Sequence, residues 1–281
     1  MCKFSQPYYR SRFTPFKRNM KNILIILFTT FSILCCYSQI LKKKIPDKLV
    51  VLTFDDAPAS QYSIVAPMLK EFGFGATFFV CEFPPDYKDS TLYMNWRQIK
   101  ALDKMGFEVA NHTQSHANVS KLTQLEFNAE LEYIEGKCDS LGIARPRNFA
   151  YPGYGLNDNV LRFLEKKGYL FARAGGSRAY DPLTDHPFLI PSWATNADNK
   201  SEILSALDQA KDGKIVVLTF HGVPDVEHPW VNTPPALFKE YLQYLSQNNF
   251  KVVSLRDLRS YINVDVAKRS IVPDLSKKHK N

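Results

Sequence analysis

From residue 48 onward, eight short apolar runs alternate with six stretches of helical periodicity, and this rhythm constrains the fold more than any other feature of the chain. A short, near-continuous apolar run is what a strand buried on both faces requires. Parallel strands need a crossover between them, usually a helix. Strands are expected at 49–54, 76–81, 108–111, 148–151, 170–174, 189–193, 214–220 and 251–254, and helices at 64–72, 96–105, 123–141, 157–167, 200–210 and 235–247. Gly73, Gly106, Gly142 and Gly168 stand just beyond four of the helical stretches, where a left-handed C-terminal cap belongs. The pattern predicts an α/β chain folded as a distorted or incomplete (β/α) barrel, without internal repeats or a long linker. In such barrels the chemistry sits at the carboxyl ends of the strands.

Read for strand ends, the chain places Asp55-Asp56 after the first run, His112 after the third, Tyr151-Pro152 after the fourth and His221 after the seventh. Side chains alternate faces along a strand, so Asp55 and Asp56 do different work unless the strand has already ended. One suits a metal and the other a proton. His112 and His116 lie four apart and face one side if that stretch turns helically. Neutral imidazole is a common ligand for zinc-like ions, and with Asp56 the pair makes a one-carboxylate, two-histidine set that leaves coordination positions open. The plainer reading of each piece is a solvated turn, a surface histidine pair and a satisfied core histidine. Their convergence on one rim favours the site, with His221 as candidate general acid.

The formal charge of +8 suggests nucleic acid until the charges are located. Lys3, Arg10, Arg12, Lys17, Arg18 and Lys21 precede residue 39 with no acidic residue among them, which leaves 30 basic against 28 acidic residues. A near-neutral body has no footprint for phosphates, so no nucleic-acid partner is expected. Basic residues, the apolar run 23–34 and the small-residue end near Ser38 read as a secretory signal, with residues 1–38 as basic leader and signal peptide and a mature start at Gln39. The expected location is secreted, periplasmic or at the cell envelope, with a membrane met only through the signal segment. An uncleaved anchor is the competing reading. Cys2, Cys35 and Cys36 go with the leader, and Cys81 and Cys138 are expected as buried thiols, one disulfide being the alternative. The catalytic domain is expected at 39–265 and a mobile tail at 266–281.

The chain resembles the polysaccharide deacetylase family with the NodB homology domain, carbohydrate esterase family 4, over roughly residues 48–262. Thr53-Phe-Asp55-Asp56-Ala57-Pro58 looks like the family's first motif, TFDDGP, and Asn111-His112-Thr-Gln-Ser-His116 looks like its second, H(S/T)xxH. The resemblance implies a distorted barrel of the NodB homology type. It implies Asp55 as general base, Asp56, His112 and His116 as metal ligands, and His221 as general acid. It further implies one divalent ion, zinc first, with cobalt, nickel or manganese compatible. The partner it implies is an acetylated polysaccharide or oligosaccharide, the bond cut being an N-acetyl amide or an O-acetyl ester.

Departures from the pattern shape the remaining expectations. Ala150 stands where the third motif carries an arginine that orients the catalytic aspartate, and Arg173 is the candidate replacement; a salt bridge within the barrel is its other reading. Asp198 is a candidate partner for His221, Trp193 a candidate pocket wall, and Tyr154 and Trp230 candidate substrate contacts. Residues 175–181 are a further candidate wall. Thr219 stands where a leucine is usual, which makes the acetyl pocket more polar or moves it to other residues. Two other functions remain open: a carbohydrate-binding protein of this fold with impaired catalysis, and a hydrolase of a non-glycan amide.

Overall fold

The computed structural model describes Met1 and residues 39–83 and 87–276. Apart from Met1, the expected leader lies outside the described residues. The strands are β1 Leu49–Phe54, β2 Thr77–Val80, β3 Glu108–Asn111, β4 Asn148–Ala150, β5 Phe171–Arg173, β6 Trp193–Ala194, β7 Val216–Phe220 and β8 Lys251–Val253. Helices α1 Ala66–Glu71, α2 Trp96–Lys104, α3 Gln124–Leu141, α4 Asp158–Lys166, α5 Lys200–Leu207, α6 Pro235–Gln247 and α7 Val264–Ser270 accompany them. Seven of the eight expected runs hold a strand and each expected helical stretch a helix; the run 189–193 meets β6 only at Trp193. Among the described residues, no helix is long and apolar enough to cross a membrane.

The sheet is parallel throughout, in the order β5-β4-β3-β2-β1-β7-β6, with β8 beside the start of β1. Past β5 the ladder continues: Ile190 exchanges hydrogen bonds with Ala172 and Ala174 before its segment enters β6 beside β7. The sheet therefore curls back toward itself as a distorted barrel. Sequence punctuation sets the helix ends. Asn95 with Gln98 and Thr123 with Glu126 form capping boxes at the starts of α2 and α3. Gly142 ends α3 at φ 69°, a conformation a side chain disfavours.

Strand alternation sorts the core into layers. Val50, Leu52 and Phe54 face the helices, where Phe54 stacks between Phe78 at 5.0 Å and Phe220 at 5.2 Å. Leu49 and Val51 face the barrel interior with Phe79, Phe171 and Val217. Continuing that inner register, Thr53 and Asp55 on β1's line and Arg173 on β5's line reach the same interior end. This places a charged pair at the top of the barrel.

One boundary differs from expectation. The line drawn between 265 and 266 falls inside α7, where Ala267 is fully buried and the Lys268 ammonium donates to the Tyr169 carbonyl at 3.3 Å. Lys, Ser and Pro composition concealed a helix that buries a single small face. Cys81 and Cys138 are both free and buried.

Candidate active site

Strand β1 ends at Phe54, and the next turn is sharp: Asp56 has φ 69° and Ala57 φ 57°. Two successive left-handed residues abolish the alternation that would send Asp56 away from Asp55. Both carboxylates, 4% and 5% exposed, thus enter one cavity with different neighbours. Ala57 holds, with a side chain, the position that glycine fills in the TFDDGP pattern; a left-handed residue with a Cβ costs about 1–2 kcal/mol.

The Arg173 guanidinium, fully buried, donates through Nη2 to Asp55 Oδ2. Its Nη1 reaches Ser192 Oγ at 3.4 Å. Ser192 in turn accepts from Thr219 Oγ1 at 2.9 Å and donates to the Ala174 carbonyl at 2.8 Å. Thr219 therefore braces Arg173 through Ser192, and it is not among the residues lining the cavity. The arginine missing at position 150 is supplied, in space, from the next strand.

His112 and His116 each bring Nε2 to 3.3 Å from Asp56 Oδ1. Their convergence is not helical, as the four-residue spacing suggested. Thr113 and His116 both take positive φ, and the loop is pinned by Asn111 Oδ1 accepting from Thr113 N and by Glu130 accepting from Ser115 N and Oγ. His112 Nδ1 lies 2.9 Å from the Ala150 carbonyl, which can only accept, so Nδ1 carries a proton and Nε2 is the nitrogen left to face Asp56. Between that nitrogen and the buried carboxylate oxygen either a proton or a metal ion can sit.

Electrostatics agree. Burial works to raise the Asp56 carboxyl, but the contact with His112 and the charges of His221, His112 and His116 overcome it and hold the group well below the usual carboxylate range. Burial works to strip His112 of its proton, yet Asp55 and Asp56 outweigh it and its pKa lies above the ordinary value. His116 is driven down to about 4, by burial first and then by His112. The three ligand atoms lie within 4.8 Å of one another. A deprotonated carboxylate, a neutral His116 and a fixed His112 tautomer fit a divalent ion.

His221 leaves the end of β7 and brings Nε2 to 3.8 Å from Asp56 Oδ2. Its Nδ1 is buried and makes no hydrogen bond among the described residues. Asp198 is exposed, its amide held by Asn196, and it does not partner His221. Trp193 is likewise not a pocket wall: it is 3% exposed in the core layer under the helices, and Ala194, one residue on and on the opposite face of β6, lines the cavity instead. Residues 175–181 build no wall either; Tyr180 is in the interior core and Arg178 pairs with Asp185.

The cavity of about 300 Å³ is bounded by Asp55, Asp56, His112, His116, His221 and Tyr154, with Phe83, His228 and Trp230 on its outer side. Trp230 is 69% exposed. It packs edge-on to His228 at 5.3 Å, and Phe83 lies 5.1 Å from His228 and 4.8 Å from His116, giving an aromatic row that runs out from the ligands. Buried Asp225 holds this rim loop by accepting from Gly222 N and His228 N, with Oδ1 also 3.2 Å from His228 Nδ1. Gln61, Ser192, Glu130 and Phe83 carried no sequence signal; their roles arise from contacts between distant segments.

A curled parallel barrel whose strand ends gather a carboxylate–arginine pair, an Asp/His/His group that could hold a metal ion and a further histidine has the layout of a hydrolytic site. Residues 42–172 match the family model described as polysaccharide deacetylase, and the chain carries a domain of that family, with the NodB homology of carbohydrate esterase family 4. A peptidoglycan-N-acetylglucosamine deacetylase of Bacillus cereus is 27% identical over 217 residues, covering 76% of this chain and 90% of that protein. A bifunctional xylanase/deacetylase of Pseudobutyrivibrio xylanivorans is 25% identical over 175 residues, 61% of this chain, which spans only 25% of that longer protein. In fold, a crystal structure of a peptidoglycan N-acetylglucosamine deacetylase superposes with a TM-score of 0.56 at 19% identity, covering 76% of this chain and 88% of the other.

Proposed function

We propose that this chain is a secreted or envelope-located, metal-dependent deacetylase that hydrolyses N- or O-acetyl groups of a glycan. The observation that carries this reading is the divergence of two adjacent carboxylates: Asp55 faces the Arg173 guanidinium, and Asp56 faces two imidazoles. Neighbouring groups with separated environments are how one site divides base chemistry from ligand chemistry. Asp56, His112 and His116 would hold the ion, zinc first, with cobalt, nickel or manganese compatible. When bound, it supplies Lewis acidity to the acetyl carbonyl and to the attacking water.

The chain's own residues handle the protons. Asp55, steered by Arg173, accepts a proton from the water as its oxygen bonds to the acetyl carbon. His221, across the cavity, gives a proton to the sugar nitrogen or oxygen as that atom leaves. Acetate and a free amine or hydroxyl result. Trp230 offers an exposed indole face at the cavity rim, suited to the apolar face of a pyranose ring. Peptidoglycan-type amino sugars and acetylated xylan are both compatible with this chemistry, and the relatives named a peptidoglycan-N-acetylglucosamine deacetylase and a bifunctional xylanase/deacetylase support testing both. A protein that only binds sugar has no use for the Asp55–Arg173 pair beside the ligand set. Acetate release by metal-stripped and metal-reloaded protein from a panel of N- and O-acetylated oligosaccharides tests the proposal; equal release in both states on every substrate refutes it.

A further inference from the structure

Gln61 lies in a five-residue π-helix, Gln61–Val65, that runs directly into α1, and its side chain is completely buried. Its Nε2 donates to two main-chain carbonyls at once, that of Asp55 at 2.6 Å and that of His221 at 3.2 Å. Two carbonyls facing one amide group demand the NH2 end, so the orientation of this amide is fixed by its surroundings. Oε1 is left buried without a hydrogen bond among the described residues. An orphaned acceptor in a core position is costly, and the side chain that carries it is retained for something other than packing.

The topology shows what that is. Strands β1 and β7 are paired in register through Phe54 and Phe220, and their last rung runs from Asp55 N to the Phe220 carbonyl at 2.9 Å. Beyond it the strands cannot continue pairing, because Asp56 and Ala57 turn into left-handed conformations. The Gln61 amide takes the place of the missing rung, joining Asp55 to His221 after the ladder has ended. Its neighbour Ser60 repeats the tie, with Oγ accepting from Val223 N at 2.9 Å.

We propose that Gln61 is a positioning residue that sets the separation of the proton acceptor Asp55 and the proton donor His221 across the bond being cut. This role rests on the assignment of those two residues as base and acid. Gln61 is not among the residues lining the cavity and acts through two backbone carbonyls.

The test compares full-length wild type with Gln61→Leu, which fills the same space without donors, and Gln61→Glu, which donates only when its carboxyl is protonated. Displacing reacting groups by about 1 Å costs on the order of 100-fold in rate. The expected result for Gln61→Leu is a fall in kcat of roughly 10- to 100-fold, with KM and zinc stoichiometry unchanged. Gln61→Glu recovers activity relative to wild type as pH is lowered, a profile that a purely structural residue does not produce. A Leu variant that loses thermal stability while keeping wild-type kcat overturns the proposal, as does a Glu variant whose pH profile parallels wild type. If Gln61→Leu does not fold, the Glu profile decides alone. Wild type that releases no acetate from any glycan is a separate result: it removes the assigned base and acid, and this role falls with them.

Discussion

Replacing Arg173 by Met keeps the length and apolar stem of the side chain while deleting the charge that faces Asp55. Opposite unit charges about 3 Å apart attract by roughly 5 kcal/mol at an effective dielectric near 20. Removing one partner of a buried pair typically costs about 3–5 kcal/mol, because the other charge is left uncompensated. Asp55 is 4% exposed and Arg173 fully buried, so little water is available to take over. A loss near 3 kcal/mol lowers Tm by about 6–12 °C in a protein of this size. Turnover falls roughly 100-fold as Asp55 loses the group that aims it. Zinc content stays at one ion per chain, since the hydrogen bonds of Arg173 reach Asp55 and Ser192 and none of the ligands. Arg173→Lys keeps the charge without the planar fork and falls between the two. Steady-state acetate release, metal analysis of the same preparation and a melting curve give the three readings. Unchanged kcat in Arg173→Met refutes the reasoning, and so does a rate loss that tracks zinc loss.

The two indoles separate core from rim: Trp230→Ala should raise KM by about tenfold with Tm unchanged, whereas Trp193→Ala should cost about 3–5 kcal/mol of stability. The reverse pattern in kinetics and denaturant titrations contradicts their placement. Zinc affinity should fall as pH drops, because the metal must displace the proton that Asp55 and Asp56 keep on His112; calorimetry in buffers of different ionisation enthalpy should detect its release, and pH-independent affinity refutes it. In the metal-free chain the raised His112 value adds stability that is fully present below the unfolded histidine pKa and is lost as pH rises through the folded one. At the other end of the barrel, buried Glu108 accepts from Thr77 Oγ1, Asn148 Nδ2 and Arg256 N, and burial raises its carboxyl. Glu108→Gln sets a donor against donors and should cost roughly 1–3 kcal/mol in urea unfolding with kcat unchanged; no loss of stability refutes the network.

Most of the fold was legible because buried parallel strands announce themselves as apolar runs and their helices as periodic stretches. The rim residues were legible for a related reason: a strand's end is visible in sequence, and Asp55, His112 and His221 stand at such ends. Arg173 was also within reach, because strand alternation puts it on the same inner face as Asp55. Contacts that join segments far apart in sequence were not. Asp198 lies in the stretch before α5 and looked available to His221, but that stretch turns it to solvent. Trp193 and Ala194 differ by one register step, which sequence alone could not assign on a two-residue strand. Gln61 gave no signal, since a glutamine after a Pro-Ala-Ser turn reads as surface, and only the neighbouring carbonyls make it a clasp. Of the left-handed turns at Asp56, Ala57, Thr113 and His116, those at Ala57 and Thr113 are carried by residues that do not favour them. That strain is held by the surrounding loops, consistent with a site whose geometry matters more than its local comfort.

The most direct test of the central claim measures acetate release and bound zinc together, in wild type, Asp55→Asn and His112→Ala reloaded under identical conditions. The account predicts zinc-dependent release by wild type, zinc retained but release abolished in Asp55→Asn, and both lost in His112→Ala. Full zinc binding by His112→Ala, or undiminished release by Asp55→Asn, contradicts the division of labour between the two carboxylates.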